Sequence, residues 1–309
     1  MDLLPSLGLL CMGLILLVKG ADAFIDGALW FARRFRIPEY VIGATIVSIG
    51  TTLPETIVSA TAAAHSANGI AYGNAIGSII CNTGLIVGLV LLFTPPPVEK
   101  RPFTRGALLF FIAAGIYIVS AAVFWGIPRF VGVVLLGLFV LYVVITLKCG
   151  KQDSNRPQRE AGKAAPRILS ILVSAALLYY GSRLMVENAE KIAFALAVPE
   201  EVIALSVVAL GTSLPELVTA ILAIRRGHGA LSVGNVLGAN FFNLVWVSGI
   251  ATLIDPLVVD ALAIRTDLII MLLVTLVFTL PILARGKGSR VQGVALLAVY
   301  GGYVAALYH

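Results

Sequence analysis

Apolar residues run through this chain in long unbroken blocks. The stretches 106–125, 130–147, 268–284 and 291–308 contain no charged residue, and each reaches or approaches the roughly 20 residues a helix needs to cross about 30 Å of hydrocarbon. Continuous runs exclude a β-barrel, whose strands of about 10 residues alternate in polarity. In lipid the backbone must satisfy its own hydrogen bonds, so helices are the expected form. The pattern predicts ten spans, at about 5–30, 39–64, 70–93, 106–125, 129–147, 167–190, 200–225, 230–253, 266–284 and 290–308. Ser66-Ala67-Asn68-Gly69 reads as a turn after span 2, Pro95-Pro96-Pro97 stops span 3, and Gly126-Ile127-Pro128 separates spans 4 and 5. Pro54 and Pro215 fall inside spans 2 and 7, where each removes a backbone donor and breaks the helix. The first span has no basic leader and no clear cleavage site, so it reads as a retained helix and not a signal peptide.

The polar interruptions repeat. Gly50-Thr51-Thr52-Leu53-Pro54-Glu55, Gly73-Asn74-Ala75-Ile76-Gly77 and Asn82 return, 161 residues later and without a gap, as Gly211-Thr212-Ser213-Leu214-Pro215-Glu216, Gly234-Asn235-Val236-Leu237-Gly238 and Asn243. Gly20 with Gly181, and Pro38 with Pro199, keep the same register. This is a duplicated half. The expected organisation is a five-helix repeat at 1–147, a basic linker at 148–166 and a second five-helix repeat at 167–309. An odd number of spans per half makes the second copy enter the membrane from the opposite side, so the repeats are inverted.

Composition agrees with a polytopic membrane protein: 59% of residues are hydrophobic and 12% charged. The net charge of +6 does not point to nucleic acid, because the cations are dispersed in loops. Arg33, Arg34, Arg36, Lys100, Arg101, Arg105, the linker cations, Arg225, Arg226, Arg285, Lys287 and Arg290 gather on one side of the ten-span arrangement. The other side holds Arg129, Lys191 and Arg265 with Glu190, Glu200, Glu201, Asp255 and Asp260. The positive-inside rule makes the first side cytoplasmic and both termini extracytoplasmic. Cys11, Cys81 and Cys149 suggest neither a disulfide framework nor a metal cluster.

The chemistry lies at Glu55 and Glu216. Each sits deep in an apolar span with no Lys or Arg beside it, where an ionised carboxylate is costly unless paired. A bound cation is the natural partner, and two carboxylates with neutral oxygens suit Ca²⁺, which takes about 6 to 8 oxygen ligands. Ser48, Thr52, Glu55 and Ser59 share one stripe of span 2; Ser213 and Glu216 hold the matching places on span 7. The prolines release carbonyls about one turn earlier, near Gly50-Thr51 and Gly211-Thr212. Asn74, Ser78 and Asn82 line span 3, mirrored by Asn235, Ala239 and Asn243, while Gly73 with Gly77 and Gly234 with Gly238 allow close helix approach. His65 and His228 fall in loops and carry no expected role. Asp22 and Asp26 on span 1 could guard a passage, but the repeat places Arg183 and Glu187 there, which favours packing or interfacial roles.

At these residues the chain resembles the cation/calcium exchanger superfamily, most closely its prokaryotic sodium/calcium exchangers. The resemblance implies that spans 2, 3, 7 and 8 enclose the ion sites and that spans 1 and 6 slide over them to switch access. By position it makes Glu55 and Glu216 the main Ca²⁺ ligands, with backbone carbonyls from Thr51 and Thr212. It makes Thr52, Ser213 and Ser78, with the carbonyls of Ser48 and Ala209, the flanking Na⁺ ligands, and sets Asn82 and Asn243 in the middle. Asn243 stands where the family often has Asp, and Ala239 lacks the hydroxyl of Ser78, which weakens one outer Na⁺ site. The expected function is a secondary antiporter exchanging Ca²⁺ for Na⁺; a Ca²⁺/H⁺ or K⁺-coupled exchanger using the same glutamates is the alternative. No cofactor, nucleic acid or partner protein is expected beyond the bilayer and the transported ions. A hydrolase is disfavoured, since neither H-E-x-x-H nor G-x-S-x-G occurs.

Overall fold

The computed structural model describes residues 3–150, 164–196, 209–259 and 261–307. They form an all-helical bundle: α1 (Leu3–Phe35), α2 (Glu39–Thr51), α3 (Leu53–Ala64), α4 (Asn68–Phe93), α5 (Lys100–Phe124), α6 (Arg129–Gly150), α7 (Ala164–Ala195), α8 (Ala209–Thr212), α9 (Leu214–Arg225), α10 (Gly229–Ile254), α11 (Ala261–Arg285) and α12 (Arg290–Leu307). Seven of these are long and apolar enough to cross a membrane, eight if the bent pair α2–α3 is one span. Ten are not reached among the described residues. The start of predicted span 7 lies in 197–208 and most of the linker in 151–163, both outside them, and α12 is not among the seven.

Burial separates a centre from a lipid-facing ring. The most apolar stretches of α4 and α10 are 72% and 78% buried, against 17% for α1. The outer surface of α1, α6 and α7 carries exposed Leu7, Ile15, Val133, Val140, Leu169 and Leu172, the arrangement expected where the solvent is hydrocarbon.

Small residues set the central contacts. A side chain at Gly234 would lie 2.2 Å from the Tyr40 carbonyl, and one at Gly238 would lie 2.2 Å from Ser48 Oγ. Only glycine therefore lets α10 press against α2. At the bundle's edge α1 and α7 cross the same way: a Cβ at Gly13 would meet the Gly181 carbonyl at 2.9 Å, and one at Gly181 would meet the Gly13 carbonyl at 3.0 Å.

Loop contacts define two ends. At one, Pro97 bridges to Lys287, Val98 N donates to Gly286 O (3.2 Å), Pro96 packs on Gly229, and His228 Nδ1 lies 3.1 Å from both Glu39 carboxylate oxygens. At the other, β1 (Gly126–Ile127) pairs antiparallel with β2 (Leu257–Val258), and Asn68 Nδ2 donates to Asp255 (3.2 Å). The first end holds Arg33, Lys100, Arg225, Arg226, Arg285 and Arg290 at or near helix termini.

α5 begins six residues before the predicted start of span 4 and takes in Lys100, Arg101 and Arg105. A helix ends where its backbone bonding ends, not where its apolar run does; Thr104 Oγ1 bonds back to Lys100 O (2.7 Å) inside this polar first turn. α1, α6 and α7 likewise run past the predicted limits.

Candidate ion site

The break expected from Pro54 is present and bends the two segments by 45°. Thr52, at φ −85° and ψ 4°, ends α2; Pro54 then occupies the first turn of α3, where its missing N–H costs nothing. Ser213 takes the same conformation, φ −86° and ψ 4°, between α8 and α9. Each break restarts a helix whose first turn carries the key acid, Glu55 on α3 and Glu216 on α9. The N-terminal end of a helix bears partial positive charge, so both carboxylates sit where the backbone favours an anion.

Both glutamates are fully buried and close enough for their charges to interact. Thr52 Oγ1 reaches across to Glu216 Oε1 (3.4 Å), and the Thr51 hydroxyl also lies within reach of that carboxylate. Three of the four carboxylate oxygens, both of Glu55 and Oε2 of Glu216, have no hydrogen-bond partner. Neither acid enters an ion pair among the described residues. Asn82 and Asn243 are also buried, with the amide oxygen and nitrogen of each unpartnered, and Ser213 Oγ is orphaned with them. Each asparagine opens a widened, π-helical turn, 82–87 in α4 and 243–247 in α10, a local distortion common at functional sites.

Orphaned buried oxygens at this density are unfavourable by about 1–3 kcal/mol each, and more for charged groups. Among the described residues no three His, Cys, Asp or Glu side chains gather to hold a metal. The donor set is two carboxylates with neutral oxygens, which fits a hard cation better than a nitrogen- or sulfur-ligated metal.

The other predicted residues sit on α2, α4 and α8. Ser48 Oγ donates to Gly43 O (2.6 Å) and contacts Asn235 O (3.1 Å), while Thr51 Oγ1 donates to Asn235 Oδ1 (3.3 Å). Ser78 is buried in α4 and Thr212 nearly so at the end of α8. Ala209 is the first residue of α8. Of the two carbonyls freed by proline, that of Gly211 accepts the Ser182 hydroxyl from α7 at 2.5 Å. Asn74 Nδ2 donates to Ser59 Oγ (2.8 Å) and to Glu55 O (3.1 Å), fixing the glutamate's turn.

Some groups carried no readable signal. Asn240 Nδ2 donates to Thr83 Oγ1 (2.7 Å), tying α10 to α4 through residues 157 apart. His228, expected to be idle, faces Glu39. Asp22 and Asp26, expected to serve packing, both pair with Arg226. The free thiols of Cys11 and Cys81 are exposed and buried respectively.

A family model described as "Sodium/calcium exchanger protein" matches residues 5–148 and 167–309. The chain belongs to the sodium/calcium exchanger family. Its relatives in this family are membrane transporters and not enzymes. It is 36% identical to the inner membrane protein YrbG of Escherichia coli, over 99% of this chain and 98% of that one. It is 31% identical to the sodium/calcium exchanger MaX1 of Methanosarcina acetivorans, over 97% and 98%. Among solved structures, the sodium-calcium exchanger NCX_Mj superposes with a TM-score of 0.84 at 34% identity, covering 99% of both chains. The chain is thus a multi-pass membrane protein of the cation/calcium exchanger superfamily, of prokaryotic sodium/calcium exchanger type.

Proposed function

We propose that the protein is a secondary active antiporter that exchanges Ca²⁺ for Na⁺ across the membrane by alternating access. The observation that carries this reading is the pair of fully buried carboxylates, Glu55 and Glu216, with three oxygens unpartnered and, among the described residues, no ion pair to neutralise them. Relatives named as sodium/calcium exchangers over nearly the whole chain support the choice of ions. Glu55 and Glu216 hold Ca²⁺ with the carbonyls of Thr51 and Thr212. Na⁺ competes for overlapping oxygens from Thr52, Ser213 and Ser78 and from the carbonyls of Ser48 and Ala209, and Asn82 and Asn243 line the middle.

In this reading the repeats, 1–147 and 167–309, lie in opposite orientations, joined by a cytoplasmic linker at 148–166. Support comes from the family model's two separate matches, 5–148 and 167–309, and from the loops: Asn68 after α3 meets Asp255, while Gly229, at the corresponding place after α9, packs on Pro96 at the other end. The arginine-rich end faces the cytoplasm and the termini face outward.

The test is Ca²⁺ uptake into vesicles driven by an imposed Na⁺ gradient. Wild-type protein takes up Ca²⁺, and Glu55→Gln or Glu216→Gln drops uptake to background while the protein remains folded. Normal uptake by either variant refutes the site. Uptake that follows a K⁺ or pH gradient instead of Na⁺ assigns the counter-ion elsewhere.

A further inference from the structure

The two ends of the bundle differ in a way the duplicated sequence makes measurable. On the acidic end a cavity of about 430 Å³ runs between α3 and α7, lined by Pro54, Val58, Ala62, Tyr179, Ser182 and Glu187 among others, and it reaches Thr212 beside the site. Adding or subtracting 161 carries these positions to Pro215, Thr219, Ala223, Val18, Ala21 and Asp26, with Thr51 in place of Thr212. There the inner positions are packed tight: Ala21, Thr51, Thr219 and Ala223 are all 0% exposed, while Val18 and Asp26 lie on the exterior. Thr219 is telling, because its Oγ1 is buried without a partner where Val58 has no polar group to satisfy.

The rims differ in the same sense. At the open end Arg183 and Glu187 pair with one another along α7 (2.6 Å), and His65 bonds back to its own helix at Thr61 O (2.8 Å). Their counterparts are Asp22, Asp26 and Arg226, and these pair across helices. Arg226 Nη1 donates to Asp22 Oδ1 (3.0 Å) and Nη2 donates to Asp26, tying α1 to the end of the half-helix that carries Glu216.

We propose that Asp22, Asp26 and Arg226 form an ion-paired door over a second passage, the mirror image of the open cavity, leading to Glu216 from the arginine-rich end past Thr219. The proposal rests on the antiporter reading above. α1 and α7 touch backbone to backbone at Gly13 and Gly181, so they shift as a unit, and a shift that parts Arg226 from α1 closes the cavity beside α7. Once parted, Asp22 and Asp26 present two carboxylates to an arriving cation, and the Thr219 hydroxyl gains water or the ion as its partner. An ion that binds one access state better than the other then moves the door through that difference alone.

The door is tested with two thiol reporters in the full chain carrying Cys11→Ser and Cys149→Ser: Ala223→Cys behind the door and Ala62→Cys in the open cavity. Labelling by a hydrophilic maleimide is timed in purified protein. Arg226→Gln, and separately Asp22→Asn with Asp26→Asn, are expected to speed labelling at 223 by about two- to fivefold, the range set by a half-exposed ion pair, and to slow labelling at 62. Either variant suffices if the other misfolds, since each breaks the same pair from a different helix. Unchanged rates at both reporters overturn the door, as does acceleration at both, which signals loosened packing and not an access switch. Failure of the wild-type chain to take up Ca²⁺ on a Na⁺ gradient defeats the antiporter reading separately, because the reporters need no flux.

Discussion

At the scale of single residues, the site is two acids and a set of unequal neighbours. Ser78 offers a hydroxyl in α4 while the matching place in α10 is Ala239, which is buried. Restoring symmetry with Ala239→Ser adds a neutral oxygen on the deficient side, so the Na⁺ concentration that half-inhibits Ca²⁺ uptake is expected to fall by about two- to tenfold, in line with a hydrogen-bond-sized gain of 0.5–1.5 kcal/mol. A dose-response of Ca²⁺ uptake against Na⁺ measures it, and a rise in that concentration contradicts the assigned Na⁺ ligands. The glutamates were legible in the sequence because a charge within an apolar run has few explanations. The hydroxyl of Thr52 was legible as a neighbour, yet its reach to Glu216, 164 residues away, depends on how the halves dock. Asp22 and Asp26 were legible as packing or interfacial groups but without their partner: Arg226 is 204 and 200 residues distant, and nothing in local spacing names it.

At the scale of elements, the decisive event is the interruption of a helix. Pro54→Ala allows a continuous helix through Gly50–Glu55, withdrawing the orphaned end of α3 from Glu55. A proline in a helix interior costs about 3 kcal/mol, but here it sits in a first turn where the cost is small, so healing the break is expected to leave thermal stability nearly unchanged while cutting Na⁺-driven Ca²⁺ uptake at least tenfold. Thermal unfolding and flux on the same preparation check it; full activity with a healed helix would sink the role given to the break. The breaks were readable from the prolines, and seven spans, eight with the bent pair, from their apolar runs. The widened turns at 43–47, 82–87 and 243–247 were not, since one extra residue in a turn leaves hydrophobic periodicity almost intact. The extended starts and ends of α1, α5 and α7 were missed because polar residues at a membrane surface continue a helix as readily as apolar ones.

At the scale of the whole molecule, a duplicated half explains most of what was anticipated, and the departures from duplication carry what was not. The 161-residue offset located both acids, both breaks and both asparagines. It did not reveal that a cavity opens beside α3 and α7, or that Arg226 pairs across helices where His65 bonds back to its own.

The neutrality of Asn82 and Asn243 has an electrical consequence. In the proposed antiporter, with Glu55 and Glu216 ionised, the chamber holds a fixed double negative charge that one Ca²⁺ would cancel, so that step would move no net charge across the bilayer. A potential of 100 mV, worth about 2.3 kcal/mol per elementary charge, would then act only on a return leg whose Na⁺ load does not equal the chamber's two negative charges. Recordings on supported membranes should find the calcium step silent in wild-type protein, whereas Asn243→Asp, by making the chamber triply negative, gives that step a current of its own.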